Sequence, residues 1–530
     1  MDGFDSLSKL GRKTLEGIKV STFERLSREY FAQGFAFLVT LLDRLVVPAI
    51  FLRALGVDGF SLWAIAIAAA AYVSVADIGT TRYFTNRLIT LLAAGRGEDG
   101  ARAFAVGQTL VVLLAALSAL AIMALYASGL LGSEFATRAE LWPVVAALLG
   151  AAFITQAISI RRALYRAHAE LERETWIGLT GLLLQIIGLC VSLILGASLQ
   201  VAALVWMIGA FLFIFMPFML DSRRRFPDFA GYPASPSPER MAEIAHIAPG
   251  LWLQALATTA FATIPVLAIG ALSSVAALVA GFVLMRTLAN FVRQVLHIFA
   301  SVLALELARR DGERENGGYA LFFFKSTRFL GVQTAAAAGA LIVLGGPLFA
   351  LWTGRPELFS QYLLWLAILP PLLAPHTITA IEAFAYANRP WPLVVARGLQ
   401  ALITATAFFL LPFLSLDMRF MSALMIGEVF GFGIVLAVLL PRLDSQISAG
   451  GLVRLYPYYL AAFAASWSIV ALAMQLSPED YRMQIAIGLP VSVAAFSLVT
   501  YFLAFDRAMR ASTGQMIGSR LGSLFGRFGR

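Results

Sequence analysis

Arg286, Asn290, Arg293 and His297 recur at helical spacing along one face of the apolar stretch 281 to 306, GFVLMRTLANFVRQVLHIFASVLALE. If that helix begins near Val275, a rise of ~1.5 Å per residue puts Arg286 roughly 16 Å in, close to the middle of a hydrocarbon layer ~30 Å thick. An arginine at such depth costs roughly 2.5 to 3.5 kcal/mol on an insertion scale, so this face is expected to meet water, an acid or a bound anion. Two chemistries fit: a salt bridge that packs helices together, and a pathway lined for something negative.

Other polar residues interrupt apolar runs. Asp43 and Arg44 lie near the middle of the first run, with Gln33 and Thr40 on neighbouring turns. Adjacent residues point about 100° apart on a helix, so Asp43 and Arg44 do not pair well with each other. The second run ends in SVADIGTTRYFTNRL, which gathers Asp77, Arg82, Asn86 and Arg87 at one mouth. There Asp77 suits either an internal bridge to Arg82 or a proton or sodium site.

Gln254, Thr258, Thr259 and Thr263 precede Pro265 in a bendable, hydroxyl-bearing run that would face sugars or satisfy its own carbonyls. Pro370, Pro371 and Pro375 predict a broken helix, with Glu382 and Tyr386 beyond the break. Glu382 and Glu428 are carboxylates in apolar runs and, with Asp43 and Asp77, are the candidates for ion coupling; a plain interhelical hydrogen bond is the alternative. The four histidines are dispersed and the single cysteine, Cys190, sits in an apolar run, so neither a metal site nor a cofactor is expected.

The elements that must position these residues are membrane spans. Hydrophobic residues make up 60% of the 530-residue chain and charged residues 13%, in apolar runs of membrane-spanning length, which predicts an all-α polytopic membrane protein of about fourteen helices. No intervening stretch is long enough for a soluble catalytic domain, and no enzyme activity is expected. The net charge of +9 reflects topology rather than nucleic-acid binding. Arginines such as Arg96, Arg162, Arg224 and Arg310 concentrate in alternate loops, which predicts cytoplasmic termini.

The expected organisation is a basic amphipathic cytoplasmic segment at 1–29, a six-helix lobe at 30–220, a proline-rich cytoplasmic linker at 221–246, a second six-helix lobe at 247–440, a terminal helix pair at 441–505 and a basic tail at 506–530. Segment 1–29 lacks the apolar core of a cleavable leader. An offset of about 217 residues brings Pro48 onto Pro265 and the GRGEDG loop onto DGEREN, as expected of two copies of one unit.

The stretch ALGVDGFSLWAIAIAAAAYVSVADIGTTRYFTNRL at 54 to 88 resembles helix two of the polysaccharide transporters, including O-antigen flippases, of the multidrug, oligosaccharidyl-lipid and polysaccharide exporter superfamily. Two six-helix lobes and an added terminal pair extend the resemblance to the whole chain as architecture. Residue by residue it reaches Asp77, Gly79 and Arg82.

The resemblance implies an inner-membrane flippase that moves an undecaprenyl-pyrophosphate-linked oligosaccharide, an O-antigen or exopolysaccharide repeat unit, by alternating access. It also implies a monomer whose partners are membrane lipids, the prenyl-linked glycan, and polysaccharide polymerase and chain-length proteins. Arg44, Arg82, Arg286, Arg293 and His297 would then meet the pyrophosphate in a cationic cavity, while Gln33, Thr40, Gln254, Thr258 and Asn290 would face sugar. A lipid II-type flippase would share these features. A membrane glycan polymerase or ligase would need a larger outer loop, and a multidrug extruder an acid-rich cavity.

Overall fold

Within a bilayer the backbone must satisfy its own hydrogen bonds, and uninterrupted apolar runs of this length do so as helices. A computed structural model describes residues 35, 39–40, 42–75, 80–128, 141–168, 170–229, 238–273, 275–309, 318–386, 389, 391–478 and 480–505, and among them there is no strand. Among the described residues twelve helices are long and apolar enough to cross a membrane, and thirteen if the bent pair Gln361–Leu373 and His376–Phe384 forms one span. The remaining expected span, 30–55, is helical over 42–54 (α1), and the rest of it lies largely outside the described residues.

The chain forms two compact units, Met1–Thr259 and Ala260–Arg530. In the first unit α1 is followed by α2 (Gly56–Ala70), α3 (Tyr72–Val75), α4 (Thr80–Ala93), α5 (Gly97–Ala127), α6 (Trp142–Ala157), α7 (Ser159–Ala167), α8 (Leu171–Ile194), α9 (Leu199–Gly209) and α10 (Met216–Arg225). The long helix α11 (Pro238–Leu272) carries the chain past the division, which falls within it. The second unit continues with α12 (Ala276–Arg309), α13 (Gly318–Thr353), α14 (Gln361–Leu373), α15 (His376–Tyr386), α16 (Trp391–Leu410), α17 (Leu416–Ile426), α18 (Val435–Leu439), α19 (Ala449–Val453), α20 (Tyr456–Gln475) and α21 (Tyr481–Val499).

The internal repeat is visible in the irregularities. A π-helical segment, Ala210–Phe215, joins α9 to α10, and another, Gly427–Ile434, joins α17 to α18. Their starts, 210 and 427, lie 217 residues apart, as do the starts of α9 and α17 at 199 and 416. Each unit also interrupts its fourth span, and the second parts begin at Ser159 and at His376, again 217 apart. The break in the second unit bends by 56°, where Pro370 and Pro371 lie within α14 and Pro375 follows. A proline supplies no N–H and crowds the carbonyl one turn earlier, which is why the turn opens there.

Each unit has its own aromatic core. Phe84, Phe104, Leu164, Tyr165 and Phe218 anchor the first; Phe323, Phe384, Phe432 and Leu436 anchor the second. The terminal helices α20 and α21 pack against α13, where Gly331 lies under the Tyr459 ring and Gly339 under the Phe463 carbonyl, so neither has space for a Cβ. Small residues at such contacts let helix backbones approach where no hydrophobic force between helices is available in lipid.

Candidate anion site

The second unit gathers charge within its spans, and a proline begins the arrangement. Pro265 has no N–H, so the Phe261 carbonyl loses its partner one turn along α11. Arg286 on α12 takes that place: Nη2 donates to Phe261 O at 3.1 Å and Nη1 to Ala262 O at 2.8 Å. Its guanidinium also lies 5.4 Å from the centre of the Phe282 ring, one turn back on the same helix. These neutral partners hold the side chain without cancelling its charge, and Arg286 forms no ion pair among the described residues.

Two turns further on, Arg293 donates from Nη1 to Glu428 Oε1 at 2.7 Å and from Nη2 to Oε2 at 3.0 Å, a two-pronged bridge between α12 and the π segment. Gly427 and Gly431 of that segment have no room for a Cβ; at Gly431 it would lie 2.5 Å from Gln400 Cα. The bare surface lets α16 lie directly on the segment, and His376 Nε2 donates to the Gly433 carbonyl at 2.9 Å from the opposite break. Widened turns of this kind recur where a helix departs from regularity for function.

The close approach of α16 brings in a third cation, Arg397. Its Nη1 donates to Gln400 Oε1 at 2.6 Å, and its guanidinium carbon lies 3.8 Å from the centre of the Phe432 ring and 5.9 Å from that of Phe261. Arg286 and Arg397 each interact electrostatically with both Arg293 and Glu428, so the four groups form one cluster of three guanidiniums and one carboxylate. Guanidinium does not deprotonate in proteins, so two positive charges are left over. The Nε atoms of Arg293 and Arg397 are buried without a hydrogen-bond partner.

The residues singled out from sequence are distributed unevenly. Arg286, Arg293 and Asn290 share α12, with Asn290 half-buried between the two arginines. The structure pairs Arg293 with Glu428, the salt-bridge alternative for this face and the interhelical hydrogen-bond alternative for Glu428, and each lowers the cost of the other's charge in lipid. Glu382 is half-buried on α15. In the first unit Arg44 is exposed and Asp43 and Thr40 half-buried on and next to α1, and Asp43 interacts electrostatically with Cys190 of α8.

Gln254 and Thr258 belong to the first unit as well, and the Thr258 hydroxyl donates to the Gln254 carbonyl at 2.8 Å, so it serves its own helix. Gln33 and Asp77 lie outside the described residues. Arg82 and His297 lie on α4 and α12, but their side chains are outside the described residues. Arg397, Gln400 and Phe432 were not anticipated. The available signal was an arginine inside the apolar run at 393 to 415, the same signal that marks Arg286.

No protein-family model matches the sequence, and no curated protein matches it by sequence. Solved structures do. The lipid II flippase MurJ in an inward closed conformation aligns over 89% of this chain and 98% of its own, with a TM-score of 0.66 at 13% identity. An inward-facing multidrug resistance MATE family transporter of the MOP superfamily aligns over 76% of this chain and 94% of its own, with a TM-score of 0.58 at 15% identity. The MATE transporter VcmN of Vibrio cholerae, as a point mutant, aligns over 81% and 98%, with a TM-score of 0.56 at 14% identity. The chain therefore has the multi-span helical fold of these flippases and exporters; at such identities the likeness is one of fold.

Proposed function

We propose that the protein is a flippase that carries an undecaprenyl-pyrophosphate-linked oligosaccharide, an O-antigen or exopolysaccharide repeat unit, across the inner membrane by alternating access. The observation that supports this most directly is the cluster of Arg286, Arg293 and Arg397 around the single carboxylate of Glu428, inside helices long and apolar enough to span a membrane. A pyrophosphate diester carries roughly two negative charges and accepts forked hydrogen bonds from guanidinium, which matches the surplus in sign and size. The same surplus disfavours a cationic drug as cargo. The prenyl tail would remain in lipid while the headgroup passes.

A second reading is favoured by the alignment with MurJ, which covers almost all of that flippase: the cargo would then be a lipid II-type peptidoglycan precursor. Both readings place a diphosphate in the site. A deletion strain separates them, because the first predicts accumulation of a lipid-linked oligosaccharide with cell-wall synthesis intact, and the second predicts accumulation of the peptidoglycan precursor with arrested growth. Complementation with Arg286→Ala is expected to leave export abolished while the protein still reaches the membrane. Full export by that variant would remove Arg286 from the site.

A further inference from the structure

The three guanidiniums of the cluster are not equally committed. Arg293 is closed onto both oxygens of Glu428, and Arg286 is bound to two backbone carbonyls at the Pro265 kink. Among the described residues Arg397 has only the neutral Gln400 side chain and the faces of Phe432 and Phe261, and its Nε is buried without a partner. Arg286 and Arg397 also converge on Phe261, one at its carbonyl and the other near its ring. A carboxylate and a phosphate compete for guanidinium by the same forked geometry. Glu428 therefore occupies on Arg293 the place that an anionic headgroup would take.

We infer that Arg397, together with Arg286, forms the phosphate-binding pair of this site, and that Glu428 is a built-in competitor that keeps Arg293 out of it. The inference rests on the reading above that the site takes a prenyl-linked diphosphate. Removing Arg293 alone then does harm indirectly, because it leaves Glu428 free to turn onto Arg286 or Arg397, both within its electrostatic reach. Removing Glu428 releases Arg293 as an additional donor.

The test is binding of farnesyl diphosphate, with farnesol as the tail-only control, to the full-length protein in lipid nanodiscs. Arg397→Gln should weaken binding about tenfold, the scale of one lost charge-assisted contact, and Glu428→Gln should tighten it about threefold. The decisive pair is R293Q/E428Q against R397Q/E428Q, which carry the same net charge. The first should bind within about twofold of the unaltered protein and the second about threefold more weakly, the tenfold loss at Arg397 being offset in part by the released Arg293.

Equal affinities for the two double variants, or a weaker R293Q/E428Q, would overturn the inference while leaving the diphosphate reading in place. An unaltered protein that binds farnesyl diphosphate no better than farnesol would overturn both. If Arg397→Gln does not fold, Arg397→Lys keeps the charge without the fork: a loss of about threefold supports the assignment and unchanged affinity contradicts it.

Discussion

The two repeats share a scaffold and differ in charge. Each places a π segment at the same point of its sixth span, and each breaks its fourth span at the same register. Yet 217 residues before Arg286, Arg293, Arg397 and Glu428 stand Ala69, Ala76, Thr180 and Phe211, all neutral. Packing requirements therefore do not explain the charges, since the same arrangement of helices forms without them.

The first unit has its own arginine network, but at the ends of spans. Nearly buried Glu174 accepts from Arg162 at 2.9 Å and from Arg166 at 2.7 and 2.8 Å; Asp221 accepts from Arg173 at 2.9 Å and from the Tyr165 hydroxyl at 2.7 Å; Glu170 accepts from Arg225 at 2.8 Å. Arginines outnumber acids there as well. At a span end the surplus is met by water and lipid headgroups, whereas within a span it must be met by a partner or a ligand. Depth gives the same side chain a different meaning.

The sharpest way to break that contrast is to strand a charge in each region. Arg293→Ala takes from Glu428 its bidentate partner and should cost about 3 kcal/mol, the low end of the range for half of a buried pair, because both side chains are only partly buried and Glu428 can turn toward Arg286 or Arg397; it is read as a fall in thermal midpoint in detergent. Replacing both residues by leucine should recover most of that loss, because neither member of the bridge is then left without its partner. A double variant as unstable as the single one would mean that the bridge itself holds the unit together.

Much of this architecture was legible in the chain. Apolar runs separated by arginine-bearing loops fixed the spans, and three prolines marked the broken one, because both signals act within a single helix. The 217-residue offset came from loop positions and reappears in the π segments, which were not legible themselves: widening one turn leaves composition unchanged. The bridge from Arg293 to Glu428 joins residues 135 apart. Periodicity orders the face of one helix but not which helix it meets, so Arg293 and Glu428 read as independent groups and Arg397 passed as part of an apolar run.

A smaller effect tests how α16 is brought to the site. Gly431→Ala would set its Cβ 2.5 Å from Gln400 Cα, a backbone atom that cannot swing aside, so α16 must retreat. The expected cost is about 1 to 3 kcal/mol, as for other overpacked contacts, with weaker diphosphate binding because Arg397 moves with its helix. Lost stability with unchanged binding would detach Arg397 from the site.

The smallest effect belongs to the span ends. Arg173 and Asp221 form a close pair, but the arginine side chain is 50% exposed and the carboxylate 22%, so water screens the attraction and replaces much of it when it is lost. Arg173→Ala should therefore cost under about 1 kcal/mol, in keeping with other solvent-accessible ion pairs, and leave diphosphate binding unaltered. Tyr165 still donates to Asp221, so that carboxylate keeps a hydrogen bond already in place. A loss as large as that for Arg293→Ala would show that depth in the span does not separate the two networks.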